Sequence, residues 1–266
     1  MAETQRLSQN DLIARKNRIA NYGSTNKNNT NRENPLPIAT KSLQKTISEN
    51  AILAALSVHD YRRIQPNLET VDLLPGKNLY NCGDGIRYVY FPINAVVYLF
   101  TTLKDGATIE HGVVGSEGML GISAVLGEMT TPNQARVLSR TRALRIPAGF
   151  LKREFCTGGM FHQLMLRYIH NFYIQSSQTA ACNRHHNLNQ KLCRWLLMTD
   201  DRAKSDRLEV TQEFISQMLG MRRPYITAAL GLLQKEGIIQ NRRGYIEIID
   251  RQALEESCCE CYEIMK

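Results

Sequence analysis

Residues 210–237, VTQEFISQMLGMRRPYITAALGLLQKEG, predict two short helices with a glycine between them. Thr211 is a suitable N-cap, because its hydroxyl can accept a hydrogen bond from a free amide of the first turn. Gly220 lies where the first helix must end, since glycine adopts the left-handed conformation without steric cost. Pro224 suits the first turn of the second helix, and Gly237 suits its end. Apolar residues recur at helical spacing at Phe214, Ile215, Met218 and Leu219, and again at Tyr225, Ile226, Ala229, Leu230 and Leu233. The stretch therefore predicts a helix-turn-helix.

The residues that follow predict a β-hairpin. Apolar positions at 238–239 and 245–249 flank the basic turn NRRG at 241–244. A hairpin directly after the second helix is a wing, and Arg242 and Arg243 at its tip are placed to meet phosphates.

The start of the second helix carries the candidate base-contacting residues. In helix-turn-helix proteins this end of the second helix reaches base edges in the major groove. A scaffold without DNA binding is the alternative, and burial of this face would favour it. The expected DNA-contacting residues are Arg222, Arg223, Thr227, Tyr225 and Thr211, together with Arg242 and Arg243 of the wing.

Upstream of residue 150 the sequence predicts an antiparallel β-roll. A short helical lead-in begins near Ser48, and from Glu69 onward short apolar runs alternate with turns such as Pro75-Gly76 and Asp105-Gly106. Strands are expected at residues 87–91 and 95–102, and another begins near Ala107. This rhythm is typical of a jelly-roll or barrel of short strands.

A long helix is predicted from about Met160 to Arg184. Its apolar residues recur every three or four positions, so one side can pack on the β-roll or on a second copy of the chain. A further helix at residues 187–198 follows, and Trp195 is expected to anchor its core face.

The order of helical lead-in, β-roll, long helix and winged helix resembles the Crp/Fnr family of bacterial transcription regulators. VTQEFISQMLGMRRPYITAALGLLQKEGII and RRGYIEIIDR carry the likeness, which extends back to about residue 50. It implies an α+β fold with an N-terminal antiparallel, jelly-roll-like sensor domain, a long central dimerisation helix and a C-terminal winged helix-turn-helix. The expected boundaries are 1–45 for a disordered basic tail, 46–155 for the β-roll, 156–186 for the dimerisation helix and 187–266 for the DNA-binding domain.

The resemblance also implies a function. It predicts a homodimer on near-palindromic double-stranded DNA, with half-sites about one helical turn apart, and it makes RNA polymerase a further candidate partner. Arg223 aligns with the family arginine that contacts guanine. Pro224 and Ala228 replace a glutamate and a second arginine of the best-known family pattern, so a different operator is expected.

The nucleotide-binding members of the family carry a phosphate cassette that is incomplete here. Its counterpart is 120–123 together with 133–135, where Ile122 replaces the ribose-binding glutamate and Asn133 replaces the phosphate-binding arginine. A buried phosphate needs a paired cation, so cyclic nucleotide binding is disfavoured, with Arg136 as a possible substitute cation. The controlling signal is left unidentified, and a cyclic nucleotide or a redox or metal signal is kept as an alternative. The candidate ligand-contacting residues are Gly121, Ile122, Ser123, Asn133, Gln134 and Arg136.

Seven cysteines are present, and two groups of cysteine and histidine residues suggest a metal or redox site. One is Cys258-Cys259-Glu260-Cys261, and the other is Cys182 with His185 and His186. Neither shows the paired Cys-x-x-Cys spacing of a strong metal motif. The sequence therefore predicts reduced packing or surface thiols, with no metal and no cofactor.

Composition narrows the class of protein. The chain has 266 residues, 43% hydrophobic and 22% charged, as in soluble globular proteins. The net charge is +8, but residues 1–45 hold eight Lys or Arg against three Asp or Glu, so the charge is weak support for DNA binding. No membrane-spanning stretch, secretory signal or catalytic motif is recognised, and a cytoplasmic protein that is not an enzyme is expected.

Overall fold

The structure, a computed structural model, describes residues 49–139 and 141–266. The tail predicted to be disordered over residues 1–45 lies outside the described residues. Within them a β-roll, a long helix and a winged helix-turn-helix follow one another, so the predicted α+β class and order of elements are confirmed.

The β-roll begins with two capped helices, α1 (Ala51–Ala54) and α2 (Val58–Ile64). Seven strands follow, all paired antiparallel in two sheets of order β1-β7-β3 and β2-β6-β4-β5. A short helix α3 (Ile122–Leu126), which the sequence did not predict, lies between β5 and β6. The strands are β1 (Glu69–Leu73), β2 (Asn78–Tyr80), β3 (Tyr88–Pro92), β4 (Val97–Thr102), β5 (Thr108–Val114), β6 (Gln134–Val137) and β7 (Thr141–Pro147).

Strand β4 is apolar on both faces because it belongs to two hydrophobic cores. Alternate side chains of a strand point to opposite faces of the sheet. Val97 and Leu99 pack in the core of the roll. Tyr98 and Phe100 pack in the core of the C-terminal domain. Strand β4 thus contributes side chains to the cores of both the β-roll and the C-terminal domain.

After α4 (Ala148–Cys156) comes the long helix α5 (Gly159–His185), whose ends lie close to the predicted ones. Helix α5 packs against β5. Two glycines allow this close approach. A Cβ at Gly112 would lie 2.8 Å from the Phe172 ring, and a Cβ at Gly118 would lie 2.6 Å from the Tyr168 ring. The Tyr168 hydroxyl donates to the Met119 carbonyl oxygen at 2.7 Å, which holds the helix in place.

The C-terminal part begins with α6 (Leu188–Ala203), whose N-cap Asn187 forms a capping box with Gln190. Trp195 is 1% exposed, which confirms its predicted role as a core anchor. None of the described helices is long and apolar enough to cross a membrane. The remaining elements are α7 (Gln212–Leu219), α8 (Arg223–Lys235), β8 (Ile239–Arg242), β9 (Tyr245–Ile248), α9 (Arg251–Glu256) and α10 (Cys261–Met265).

Polar contacts also join the roll to the helix-turn-helix. Thr108 donates from its hydroxyl to the Gln217 carbonyl oxygen at 2.8 Å. Arg136 donates from Nη1 to Gln217 Oε1 at 3.0 Å. Arg202 of α6 pairs with Glu117 at 2.7 Å. Helix α7 is therefore docked on β5 and β6 of the roll.

Candidate nucleic-acid interface

The corner between α7 and α8 has the geometry that its residues predict. The Thr211 hydroxyl accepts from the Phe214 amide at 3.1 Å and caps α7. Gly220 ends the helix with a φ of 61°, a left-handed conformation that side chains disfavour. Pro224 lies in the first turn of α8, where no intrahelical amide partner is lost. The predicted helix-turn-helix is confirmed.

The wing and the beginnings of α7 and α8 enclose one cleft of about 490 Å³. Arg223, Arg242 and Arg243 line it, and Glu213 is the only carboxylate among the lining residues. The resulting positive potential favours a phosphate backbone. The full lining is Val210, Thr211, Gln212, Glu213, Arg223, Asn241, Arg242, Arg243 and Gly244.

Helix α8 buries one face and exposes the other. Ile226, Ala229, Leu230 and Leu233 are buried in the domain core. The predicted contact residues Arg222, Arg223, Tyr225 and Thr227 are exposed. The burial that would have favoured a scaffold without DNA binding is not found at this face.

Two polar residues that the sequence did not single out hold this surface in place. The Thr227 hydroxyl donates to Gln212 Oε1 at 2.7 Å, which links α8 to the first turn of α7. The backbone amide of Asn241 donates to Gln234 Oε1 at 2.9 Å, which links the wing to α8. Gln212 directly follows Thr211, the N-cap of α7. This position at the start of α7 is the one sequence feature that could have placed its side chain near α8.

The candidate ligand-contacting residues of the β-roll lie in two segments, and the side chains of these segments have different surroundings. Gly121 lies against buried side chains of the roll. A Cβ at this position would lie 3.0 Å from the Tyr80 hydroxyl and 3.2 Å from Val89. Ile122 and Ser123 begin α3 beside it. This is the interior side of the roll.

The second half of the cassette points the other way. Gln134 and Asn133 contact the Thr102 and Thr101 hydroxyls on exposed positions. Arg136 donates to Asn78 and Gln217, whereas its neighbour Ala135 points into the roll. The Arg136 guanidinium bridges to α7 in this structure, and the substitution of Arg136 for the missing phosphate-binding arginine stays a prediction.

A buried ionisable group lies where the roll meets the C-terminal domain. Glu110 of β5 is 3% exposed. Burial raises the pKa of its carboxyl, while the nearby positive charges of Arg194 and Arg202 act in the opposite direction. Burial likewise raises the pKa of Tyr98 well above its usual value. Both pKa shifts follow from the burial of these groups between the two domains.

The two cysteine groups, considered separately in the sequence, meet in the structure. Cys182 and His186 at the end of α5 lie beside Cys259 and Cys261 at the C-terminus. His185 is exposed, and Cys258 contacts the Gln190 carbonyl oxygen instead. All seven cysteines are unbridged by disulfides.

Comparisons with known proteins agree with this architecture. The family description "Cyclic nucleotide-binding domain" matches residues 70–155, and "Crp-like helix-turn-helix domain" matches residues 190–257. Electron transport regulator A of Shewanella oneidensis is 21% identical over 186 residues, which cover 67% of this chain and 74% of that protein.

Solved structures have the same fold. A transcriptional regulator of the Crp/Fnr family from Eubacterium rectale superposes with a TM-score of 0.63 at 19% identity, covering 79% of this chain and 98% of that one. FixK2 from Bradyrhizobium japonicum gives a TM-score of 0.63 at 15% identity, covering 72% and 98% of the two chains.

A cyclic-nucleotide-binding-type roll followed by a long helix and a winged helix-turn-helix defines a DNA-binding transcription regulator. The chain combines a cyclic nucleotide-binding domain with a Crp-like helix-turn-helix domain, and it has the fold of the Crp/Fnr regulators.

Proposed function

We propose that the protein acts as a homodimer on a near-palindromic operator, with one α8 helix per subunit in the major groove. The observation that carries the proposal is the cleft in which Arg223 of α8 lies on the same side as Arg242 and Arg243 of the wing. Residues placed in this way can contact base edges and the flanking phosphates together.

The contact residues have separate roles in this proposal. Arg223 donates two hydrogen bonds to a guanine, whose acceptors match the fork of a guanidinium. Arg222, Tyr225 and Thr211 flank it and contact the DNA backbone. Thr227 is a positioning residue, because its hydroxyl is engaged with Gln212.

Helix α5 supplies the dimer interface. Its inward face packs on the roll through residues such as Met165 and Phe172. Leu166, Tyr173 and Ile174 lie between about a quarter and about half a turn around the helix from these residues and are 43%, 68% and 37% exposed. An apolar stripe on the outer face of a long helix is the surface that a second copy would cover.

The controlling signal enters through the β-roll, and its chemical identity is left open. The contacts of Thr108 and Arg136 with Gln217 support this part of the proposal. A displacement of β5 or β6 would change the position of α7, and with it the spacing of the two recognition helices. RNA polymerase is the partner that the bound regulator would contact at a promoter.

The decisive experiment uses DNA selected from a randomised pool and the promoter region of the protein's own gene. Arg223→Ala should weaken binding to the selected site by roughly 5- to 150-fold, corresponding to about 1–3 kcal/mol for one bidentate contact. Binding to random DNA should change little. Arg62→Ala, an exposed arginine on α2, is the matched control.

Two results would contradict the proposal. An equal loss on selected and random DNA would remove the base-reading role of Arg223. Failure of the wild-type protein to enrich any sequence would remove sequence-specific binding altogether.

A further inference from the structure

Four potential metal ligands converge at the end of α5. Cys182 lies in its last turn and His186 caps it, while Cys259 and Cys261 lie just before and at the start of α10. Their ligand atoms all lie within 4.8 Å of one another. The three cysteines are buried and the histidine is half-buried. Thiolate and imidazole are the preferred ligands of zinc.

Two of the distances between these atoms match those in a tetrahedral site. Bonds of about 2.3 Å to sulfur and about 2.0–2.1 Å to nitrogen place two sulfurs about 3.8 Å apart, and a sulfur and a nitrogen about 3.5 Å apart. The Sγ atoms of Cys182 and Cys259 are 3.7 Å apart. Cys261 Sγ and His186 Nδ1 are 3.6 Å apart. An iron–sulfur cluster would hold its ligands apart by the width of its inorganic core, so a single ion fits better.

The surrounding residues orient the ligands as in metal sites. His186 Nε2 lies 3.2 Å from the Glu260 carboxylate, which favours the tautomer that donates from Nε2 and leaves the Nδ1 lone pair free. Gln178 donates from Nε2 to Cys261 Sγ at 3.1 Å, a contact that stabilises a thiolate. Neither contact is needed for the packing of a neutral thiol.

A buried cation completes the charge balance. Three thiolates, a neutral imidazole and a divalent ion together carry one negative charge. Arg194 is 1% exposed, and its Nε and Nη2 atoms lack a hydrogen-bond partner among the described residues. Its charge lies within electrostatic range of Glu110 first and then of Cys182, Cys259 and Cys261. A buried cation needs anionic partners, and the metal complex would add to the compensation that Glu110 gives.

We propose that Cys182, His186, Cys259 and Cys261 bind one Zn²⁺ ion in a structural site. All four positions of a tetrahedral ion are filled by protein, which distinguishes a structural from a catalytic zinc site. The ion would fasten α10, and the DNA-binding domain packed on it, to the end of α5. It would thus fix the angle at which the winged helix-turn-helix leaves the long helix.

Metal content is the first test. Full-length protein produced in zinc-supplemented medium and dialysed is expected to carry one zinc per chain. Cys259→Ser and Cys261→Ser should carry almost none. Cys258→Ser, adjacent in sequence but outside the ligand set, should keep the full amount. Equal zinc in the ligand variants and the control would overturn the proposal.

A second measurement does not depend on the folding of any variant. Cobalt added to the wild-type apoprotein should give the visible spectrum of a tetrahedral site and a strong thiolate-to-metal charge-transfer band, and zinc should abolish both. An octahedral spectrum, no spectrum, or an iron–sulfur chromophore in protein purified without oxygen would overturn it. None of these readouts uses DNA, so they fail or succeed separately from the proposed function.

Discussion

The Tyr98 ring of β4 stacks on the Trp195 indole of α6, with ring centroids 5.2 Å apart and an angle of 15° between the planes. Phe214 of α7 meets the same tyrosine edge-on at 5.5 Å. The Tyr98 hydroxyl is hydrogen-bonded to the Thr199 hydroxyl. A residue of the β-roll is therefore a core residue of the DNA-binding domain.

Replacement of Tyr98 should separate the ring contribution from that of the hydroxyl. Tyr98→Ala should lower the free energy of unfolding by about 3–5 kcal/mol, because it leaves a large cavity. Tyr98→Phe keeps the stack and should cost about 1–2 kcal/mol for the lost hydrogen bond. Denaturant unfolding measures both. The exposed Tyr225→Ala serves as control and should stay within about 0.5 kcal/mol of wild type. Equal effects of Tyr98→Ala and the control would mean that the stack does not contribute to stability.

Glu110 should impose a pH dependence on stability. Because burial raises the pKa of Glu110 in the folded protein above 4.5, the folded state retains a proton that the unfolded state has lost. The stability that this proton gives the folded state is fully present below pH 4.5 and is lost as the pH rises through the raised pKa of Glu110. Glu110→Gln should remove this part of the decline in unfolding free energy, measured at a series of pH values.

The exposed Glu128→Gln is the matched control for this profile. If both variants changed the slope equally, burial at Glu110 would not be its cause.

The dimer proposal predicts that a charge on the outer face of α5 separates the subunits. Leu166→Glu and Ile174→Glu place carboxylates in the apolar stripe, where association would have to bury them at high cost. Sedimentation analysis should show a shift from dimer to monomer, with unchanged helix content by circular dichroism. Leu126→Glu, at a leucine of α3 that is 57% exposed, should remain dimeric. A wild-type monomer at all concentrations would refute the proposal.

The wing arginine should act on every DNA sequence alike. Arg242→Ala removes a phosphate contact, so it should weaken selected and random DNA by the same factor. The slope of log affinity against log salt concentration should fall by roughly one. Binding titrations at several salt concentrations measure both quantities. A loss confined to the selected site would instead assign base reading to the wing.

Local features of the DNA-binding domain could be predicted closely from the sequence. Thr211, Gly220 and Pro224 act through caps, φ preferences and a missing amide, all of which depend on residues only a few positions away. The same holds for the limits of α5. Their energetics are local, so a single sequence contains them.

The ligand candidates in the roll were harder to place. The positions 121–123 and 133–136 were joined by likeness to a cassette, but the direction of each side chain depends on strand register. Arg136 pairs with Asn78 and Tyr98 across the sheet and points to the outer face. A shift of one residue would reverse that direction, so only the folded sheet could decide it.

The sequence by itself determined the order of lead-in helix, β-roll, long helix and winged helix-turn-helix, and the exposed arginines of α8. Tertiary structure alone decided that Tyr98 belongs to both domains and that Cys182 meets Cys259, a pair separated by 77 positions. Cap and periodicity preferences act within one or two turns. Contacts between distant residues instead depend on how helices and sheets pack, and no local spacing encodes the convergence of three cysteines and a histidine.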